Sequence, residues 1–385
     1  MPVNIVYYVS GHGFGHATRV SQICRALIDA RPSTRITICT KAPRHLFPLC
    51  SSDGITYRER EVDSTVVQPL PYEIDVLATF RDLRRFLGEG RDMAWAREEG
   101  AFIDASAFDL VLADAPWVVG LLRGTSEKCP SIVLVSNFSF DLIFARLLDH
   151  LPSTTSPADR EDYRAMTGSI CRAYQKFNHL IRLPGHIDFP FLARDSTCEV
   201  SDSPLIYRPA RRTKSETLAA LGLPHGSLGS SNVLLVQFGG HLVADADAAA
   251  ATHHVPHLPP DWLCLTNASI DDPRFIKFPD DIYLPDLVGA SDLVLGKIGY
   301  GTVSECVGMG KPLLFVARDM FAEEAYLLRY MRQQGSCHEL DRTRFETGQW
   351  SDDITKAWQS VQGTTGRGCE DGSLELAERI YTLID

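Results

Sequence analysis

Two histidines stand in a glycine-rich run, Ser10-Gly-His-Gly-Phe-Gly-His-Ala-Thr-Arg19, between an apolar segment and an amphipathic one. A neutral imidazole takes the proton from an attacking hydroxyl when its pKa lies near the working pH. His16 has a candidate partner in Asp114, which ends the apolar run Leu110-Val-Leu-Ala113. A carboxylate on one ring nitrogen orients an imidazole and stabilises the imidazolium. Both residues then fall at the carboxyl edge of a parallel sheet, where open α/β folds place ligands. Spacing alone also allows a plainer arrangement. In it Asp114 caps the turn before Pro116-Trp117, and His12 bonds the backbone or caps the helix. Gly13 and Gly15 let the chain turn tightly, and free N–H groups at the following helix start suit an anion. The order is G-x-G-x-G rather than the dinucleotide G-x-G-x-x-G, and Thr40-Lys41 stands where a ribose-binding acid would, so NAD is a weak fit.

A second run with chemical content is Leu295-Gly-Lys-Ile-Gly-Tyr-Gly-Thr-Val-Ser-Glu305. It follows an apolar strand and opens a helix. Gly299, Gly301 and Thr302 would present N–H groups and the helix dipole to a diphosphate, with Lys297 adding charge. Glu305, one turn in, suits a ribose diol. The Walker order G-x-x-x-x-G-K-[ST] is absent. Phe321-Ala-Glu-Glu324 then follows a strand. Its paired carboxylates suit sugar hydroxyls or, equally, a solvated helix N-terminus.

These residues carry a resemblance. Lys297 to Glu305 fits, without gaps, the core of the donor-binding run H-C-G-W-N-S-T-L-E of family-1 UDP-glycosyltransferases. Gly299 and Glu305 match, and Tyr300 stands for the tryptophan. Phe321 to Glu324 resembles that family's F-A-E-Q. The resemblance implies diphosphate contacts around Gly301-Thr302, a ribose contact by Glu305, and sugar contacts by Glu323 and Glu324. Lys297 replaces a phosphate-binding histidine, and Glu324 replaces a glutamine. His16 and Asp114 fall where such enzymes hold their base and its supporting acid. Over nearly the whole chain the sequence also resembles the N-terminal half of plant L-arabinokinases, through Tyr8 to Arg19, Ser136-Asn-Phe-Ser139, Ile181 to Gly185, Phe238-Gly239-Gly240 and Leu295 to Glu305. In that family a separate C-terminal domain carries the kinase chemistry, so the resemblance argues against sugar-kinase activity here.

The elements that must position these residues read as two α/β units. The chain has 385 residues, which at roughly 150 per domain gives two. Strand-like runs at Val3–Ser10, Arg35–Thr40, Asp109–Ala113, Ser131–Ser136 and His179–Leu183 alternate with helical stretches, as in a doubly wound parallel sheet. Leu151 to Asp162 reads as a polar, proline-containing connection before a helix near Tyr163–Asn178. The junction falls near 200–210. A second strand series begins with Val233–Phe238. The expected fold class is therefore α/β of the GT-B type, with two facing Rossmann-like domains and a central cleft. Residues 1–205 form the acceptor domain and 206–365 the donor domain. Residues 366–385 form a helix packing back on the first domain, as the resemblance implies.

Composition limits the partners. The net charge of −11 disfavours nucleic acid and anionic membrane. The basic run Arg208-Pro-Ala-Arg-Arg-Thr-Lys214 is short and reads as a solvated linker or helix start. No apolar run approaches the roughly 20 residues of a membrane span, and the N-terminus reads as a buried strand rather than a signal peptide. Ten scattered cysteines without a CxxC pair suggest reduced thiols in a cytoplasmic protein. His253-His-Val-Pro-His257, with His241 nearby, is interrupted by proline and lacks a standard zinc spacing, so no metal is expected. The leaving diphosphate would be balanced by the helix dipole and Lys297.

The expected activity is transfer of a sugar from a nucleotide-sugar, UDP-linked by resemblance, to a hydroxyl of a small molecule or glycan, with inversion. Donor residues are Gly13, Gly15, Gly239, Gly240, Lys297, Gly299, Tyr300, Gly301, Thr302, Glu305, Glu323 and Glu324. Acceptor residues are His12, Phe14, Arg19 and Asn137. A nucleotide-sugar 2-epimerase and a non-catalytic sugar-nucleotide sensor stand as alternatives. A nucleic-acid-modifying transferase would need an arginine-lined acceptor cleft despite the charge.

Overall fold

The computed structural model of the protein describes residues 2–51, 54–64, 66–193, 196–223, 231–238, 255–361 and 368–385. Two parallel sheets organise them. In the first, β1 (Asn4–Val9), β2 (Arg35–Thr40), β3 (Ile55–Glu59), β4 (Leu110–Asp114), β5 (Ile132–Ser136), β6 (His179–Arg182) and β7 (Glu199–Asp202) lie in the order 3-2-1-4-5-6-7. In the second, β8 (Asn232–Gln237), β9 (Trp262–Thr266), β10 (Phe275–Lys277), β11 (Leu293–Gly296), β12 (Leu313–Phe315) and β13 (Cys337–Glu339) lie in the order 10-9-8-11-12-13. Strand order therefore reverses between β1 and β4 in one sheet and between β8 and β11 in the other. Such switch points open a crevice at the carboxyl edge.

Why these strands form is visible in their side chains. Successive residues point to opposite faces, and both faces are covered. Ile5, Tyr7 and Val9 enter one core with Val20, Ile23 and Leu27 of the first helix, Phe14–Ala30. Val6 and Tyr8 enter the other, with Phe80, Trp117 and Phe144. The first core continues through Leu205, Ile206 and Tyr207 to Val233, Val294 and Val303 of the second unit. A third cluster, with Leu234, Cys264, Leu314, Trp350 and Ile354, covers the second sheet's other face.

The last helix, Ser373–Thr382, packs on the first. Tyr381 donates its hydroxyl proton to Leu27 O at 2.7 Å, and Gln22 Nε2 donates to Asp371 Oδ2 at 2.8 Å. One connection differs from the reading of the sequence. The polar stretch before Tyr163 is already helical, because Ser156 caps the Asp159 N–H and Pro157 sits at the first helical position. The helices Val76–Leu87 and Arg91–Ser106 also fill a region with no clear sequence expectation. All ten cysteines are free thiols. Among the described residues no helix is long and apolar enough to cross a membrane.

Candidate active site in the interdomain cleft

The first wall grows from β1 and β4, which pair in parallel with Val9 opposite Asp114. Ser10 N–H then donates to Asp114 O at 3.1 Å, so the glycine-rich turn starts beside the carboxylate. Gly13, at φ +74°, caps the first helix in a conformation that a side chain would strain. His16 lies in the first turn of that helix, with Nδ1 3.0 Å from Asp114 Oδ1. Its ring meets Phe138 edge-on at 5.2 Å.

Arg19, three residues on and so on the same helix face, completes the cluster. Its Nε donates to Asp114 Oδ2 at 2.6 Å and its Nη2 donates to Oδ1. Nη1 donates to Asn137 Oδ1 at 2.5 Å, and Nη2 lies 3.0 Å from His16 Nδ1. Arg19 is 5% exposed and Asp114 fully buried. Burial works to raise the Asp114 pKa, but the charges and hydrogen bonds of Arg19 and His16 outweigh it and hold the carboxyl below its usual range. Burial likewise opposes the Arg19 charge, and Asp114 more than restores it.

The second wall grows from β8 and β11. At Gly296 a Cβ would stand 2.3 Å from Gln237 O, so only glycine allows the close approach of these strands. The chain then passes Lys297 to Gly299, which caps the helix Tyr300–Gly308. No acidic side chain occupies that helix's first turn, so its positive end remains available to an anion. Burial, reinforced by the charge of Arg318 and opposed by Glu323 and Glu324, pushes the Lys297 ammonium down to about 7. Glu305 is 3% exposed, and its Oε1 accepts from Arg208 Nε at 2.9 Å and lies 2.7 Å from Nη2. Arg211 stacks 3.8 Å over the Tyr283 ring.

Glu323 and Glu324 separate. Glu324 accepts from Arg318 N at 2.8 Å and from Arg318 Nε at 2.6 Å. Its two oxygens thus brace the loop, and Glu323 is the member of the pair on the cleft wall. Two contacts bridge the walls. The Arg19 guanidinium lies 4.9 Å from the Tyr300 ring centre, and Asn137 Nδ2 donates to Glu323 Oε2 at 3.2 Å.

The cleft encloses ≈ 990 Å³, at the upper end for small-molecule sites. His12, Gly13, Phe14, Gly15, His16, Arg19 and Asn137 line one side, and Lys297, Gly299, Tyr300, Gly301, Thr302, Glu305 and Glu323 the other. Asp114 lies behind His16. Arg19, read as an acceptor contact, turns its guanidinium into the wall toward Asp114 and Asn137. Gln68 Nε2 lies 3.0 Å from His12 Nε2. Gly239, Gly240, His241, His253 and His254 lie outside the described residues, and among the described ones no group of three metal-binding side chains gathers.

The sequence reading placed Arg208 and Arg211 in a solvated linker or helix start and missed Arg318 and Tyr283, yet all four line the cleft. The signal for the first two was the prolines at 204 and 209. They mark the interdomain connection, and two of its arginines, Arg208 and the exposed Arg211, border the cleft.

No family model matches the chain. It is 31% identical over 356 residues to the L-arabinokinase of Arabidopsis thaliana, covering 91% of this chain and 32% of that protein. The chain thus spans about a third of that relative's length. Among solved structures it is similar to spinosyn forosaminyltransferase (TM-score 0.59, 10% identity, 99% of both chains). It is also similar to the calicheamicin glycosyltransferase (0.58, 14%, 100% of this chain and 99% of that one). A third is a UDP-glucosyltransferase from Polygonum tinctorium capable of glucosylating indoxyl (0.56, 14%, 100% and 99%). These likenesses show the fold, which is GT-B.

Proposed function

We propose that the protein is a nucleotide-sugar-dependent glycosyltransferase that inverts the anomeric centre. One observation carries the reading: an oriented imidazole and an uncapped helix N-terminus with a lysine face each other across one cleft. His16 Nε2 takes the proton of an acceptor hydroxyl, while Nδ1–H donates to Asp114 and fixes the ring. The hydroxyl oxygen attacks the anomeric carbon, and the bond to the nucleotide diphosphate breaks on the opposite face. The departing charge is balanced by the N–H groups of Gly301 and Thr302 and by Lys297, without a metal ion. Glu305, held by Arg208, receives the ribose diol, and Glu323 bonds the sugar.

The donor is UDP-linked in this reading, which the UDP-glucosyltransferase among the fold neighbours supports. The acceptor is a small molecule or glycan, and the setting is cytoplasmic. Although the Arabidopsis relative is an L-arabinokinase, this chain matches only about a third of it and itself carries a GT-B fold, and the Walker order is missing from this chain. Phosphoryl transfer is therefore not the chemistry proposed.

The test is thermal-shift binding against UDP-, GDP-, ADP- and dTDP-sugars. One donor at 100-fold over its Kd stabilises the protein by about 2.7 kcal/mol, and Glu305→Ala loses the effect. His16→Ala keeps binding and loses roughly 10²–10⁴ of the transfer rate. Absence of any shift refutes the donor site, and retention of configuration refutes single displacement. Epimerised sugar and free nucleotide diphosphate formed without acceptor would identify an epimerase instead.

A further inference from the structure

We propose that Arg19 is the positioning residue of this site: it fixes the Asp114 carboxylate and the His16 ring in one arrangement and ties both to the donor-side helix through Tyr300. The proposal rests on the transferase reading. In a plain His–Asp pair the carboxylate serves the imidazole alone. Here Arg19 grips both Asp114 oxygens through Nε and Nη2, so the carboxylate plane is set by a fork rather than by His16. His16 Nδ1 joins at Oδ1, 3.0 Å away, and lies equally 3.0 Å from Arg19 Nη2. The ring therefore keeps an acceptor for its Nδ1–H. The cation beside it offsets the carboxylate's pull on a second proton, and Nε2 keeps its lone pair for the acceptor hydroxyl.

The fork is held from both domains. Asn137, which accepts from Arg19 Nη1, donates its own Nδ2 to Glu323. Tyr300, under the guanidinium at 4.9 Å, is the first residue of the helix whose N-terminus faces the cleft. The base is thus assembled when the donor-side turns are in place.

The groups around His16 come from both units. Arg19 lies on its own helix and Asp114 on β4. Tyr7 of β1 and Asp63 feel the Asp114 charge. Ser136 and Asn137 end β5, and Tyr300, Lys297 and Glu323 face the cleft from the second unit. Removing the Arg19 charge leaves Asp114 facing His16 without a counter-cation. The carboxylate then loses the fork that fixes its plane, and the His16 ring loses a fixed partner.

The experiment follows the His16 ring signals by NMR at fixed pH, and kcat and donor KM of transfer, in Arg19→Gln, Arg19→Lys and Arg19→Gln/Asp114→Asn proteins. In Arg19→Gln kcat falls by about tenfold or more while donor KM holds, and the His16 ring signals shift as the Nδ1 contact loosens. Arg19→Lys does not return the rate, since one ammonium cannot reproduce the fork. The double variant has the same net charge as wild type. It keeps donor KM with a low rate, and it carries the test if the single variant does not fold. Unmoved His16 ring signals in folded Arg19→Gln overturn the proposal, as does a full rate in Arg19→Lys or the double variant. Should the protein transfer no sugar at all, the transferase reading fails while the ring signals still decide whether Arg19 positions His16.

Discussion

Asp114→Asn and His16→Ala separate the framework of the site from its chemistry. Asp114 is fully buried and holds the two-pronged Arg19 guanidinium, itself only 5% exposed. Breaking one partner of a buried pair costs about 3–5 kcal/mol, because the other charge stays behind in a low dielectric. Asparagine keeps a carbonyl that accepts one of the two bonds, which puts the expected loss near the lower end, about 3 kcal/mol. His16→Ala leaves the Arg19–Asp114 pair whole. It removes a hydrogen bond and an aromatic edge contact, a loss of about 1–2 kcal/mol.

Urea unfolding followed by tryptophan fluorescence reads both as midpoint shifts at constant slope. Transfer falls by roughly 10²–10⁴ in each. The pH dependence has a defined sign. The Asp114 carboxyl lies below its ordinary range when folded, so its stabilisation is fully present above about pH 4 and is lost as pH falls toward the lower folded value. The gap between wild type and Asp114→Asn therefore closes in acid. Equal stability of the two variants at pH 7 would refute the argument, since it would mean that the buried pair contributes nothing beyond the imidazole contact.

Three further outcomes are expected. Lys297 sits at about 7 because burial, with Arg318 adding to it, lowers its pKa. Donor affinity should therefore fall as pH rises from 6 to 8, by up to about tenfold per unit above 7, and Lys297→Met should bind weakly with no slope in calorimetry across that window. Glu99 is fully buried, accepts from Arg58 at 2.7 and 2.9 Å and from the Tyr8 hydroxyl at 2.9 Å, and does not line the cleft. Glu99→Gln should cost about 3 kcal/mol in urea unfolding with donor affinity unchanged. At Gly120 a Cβ would stand 2.0 Å from the Ala173 carbonyl oxygen, so Gly120→Ala should lower stability by about 1–3 kcal/mol or more, seen as a reduced melting temperature.

The sheets and both glycine turns are legible in the sequence because they are local. Apolar runs of β-branched residues announce strands buried on both faces, and a glycine turn after such a run falls at the carboxyl edge. What escapes is set by distance along the chain. Arg19 stands three residues from His16, yet its meaning comes from Asp114, 95 residues away, and Asn137, 118 away. Arg208 reads as a solvated linker until the fold carries it to Glu305, 97 residues on. Glu323 and Glu324 look like one feature in the sequence. Consecutive residues at a helix start diverge by about 100°, so one carboxylate faces the cleft and the other turns back to Arg318.

The same distinction orders the charges of the cleft. Arg19, Arg208 and Arg318 are each committed to a carboxylate within the protein, on Asp114, Glu305 and Glu324. Such pairs fix geometry and leave little net field. Lys297 and Arg211 line the same space with no carboxylate within ion-pair distance among the described residues, and the helix N-terminus at Gly299 has no acid in its first turn. Arg25 of the first helix also lines the space with no ion pair among the described residues, so an anionic ligand entering a protein of net charge −11 meets unpaired cations from both units, with Lys297 and the helix N-terminus together on the second wall across from the imidazole. The arginine pairs build the two walls, and in the proposed transferase the diphosphate would face the helix N-terminus and the sugar His16.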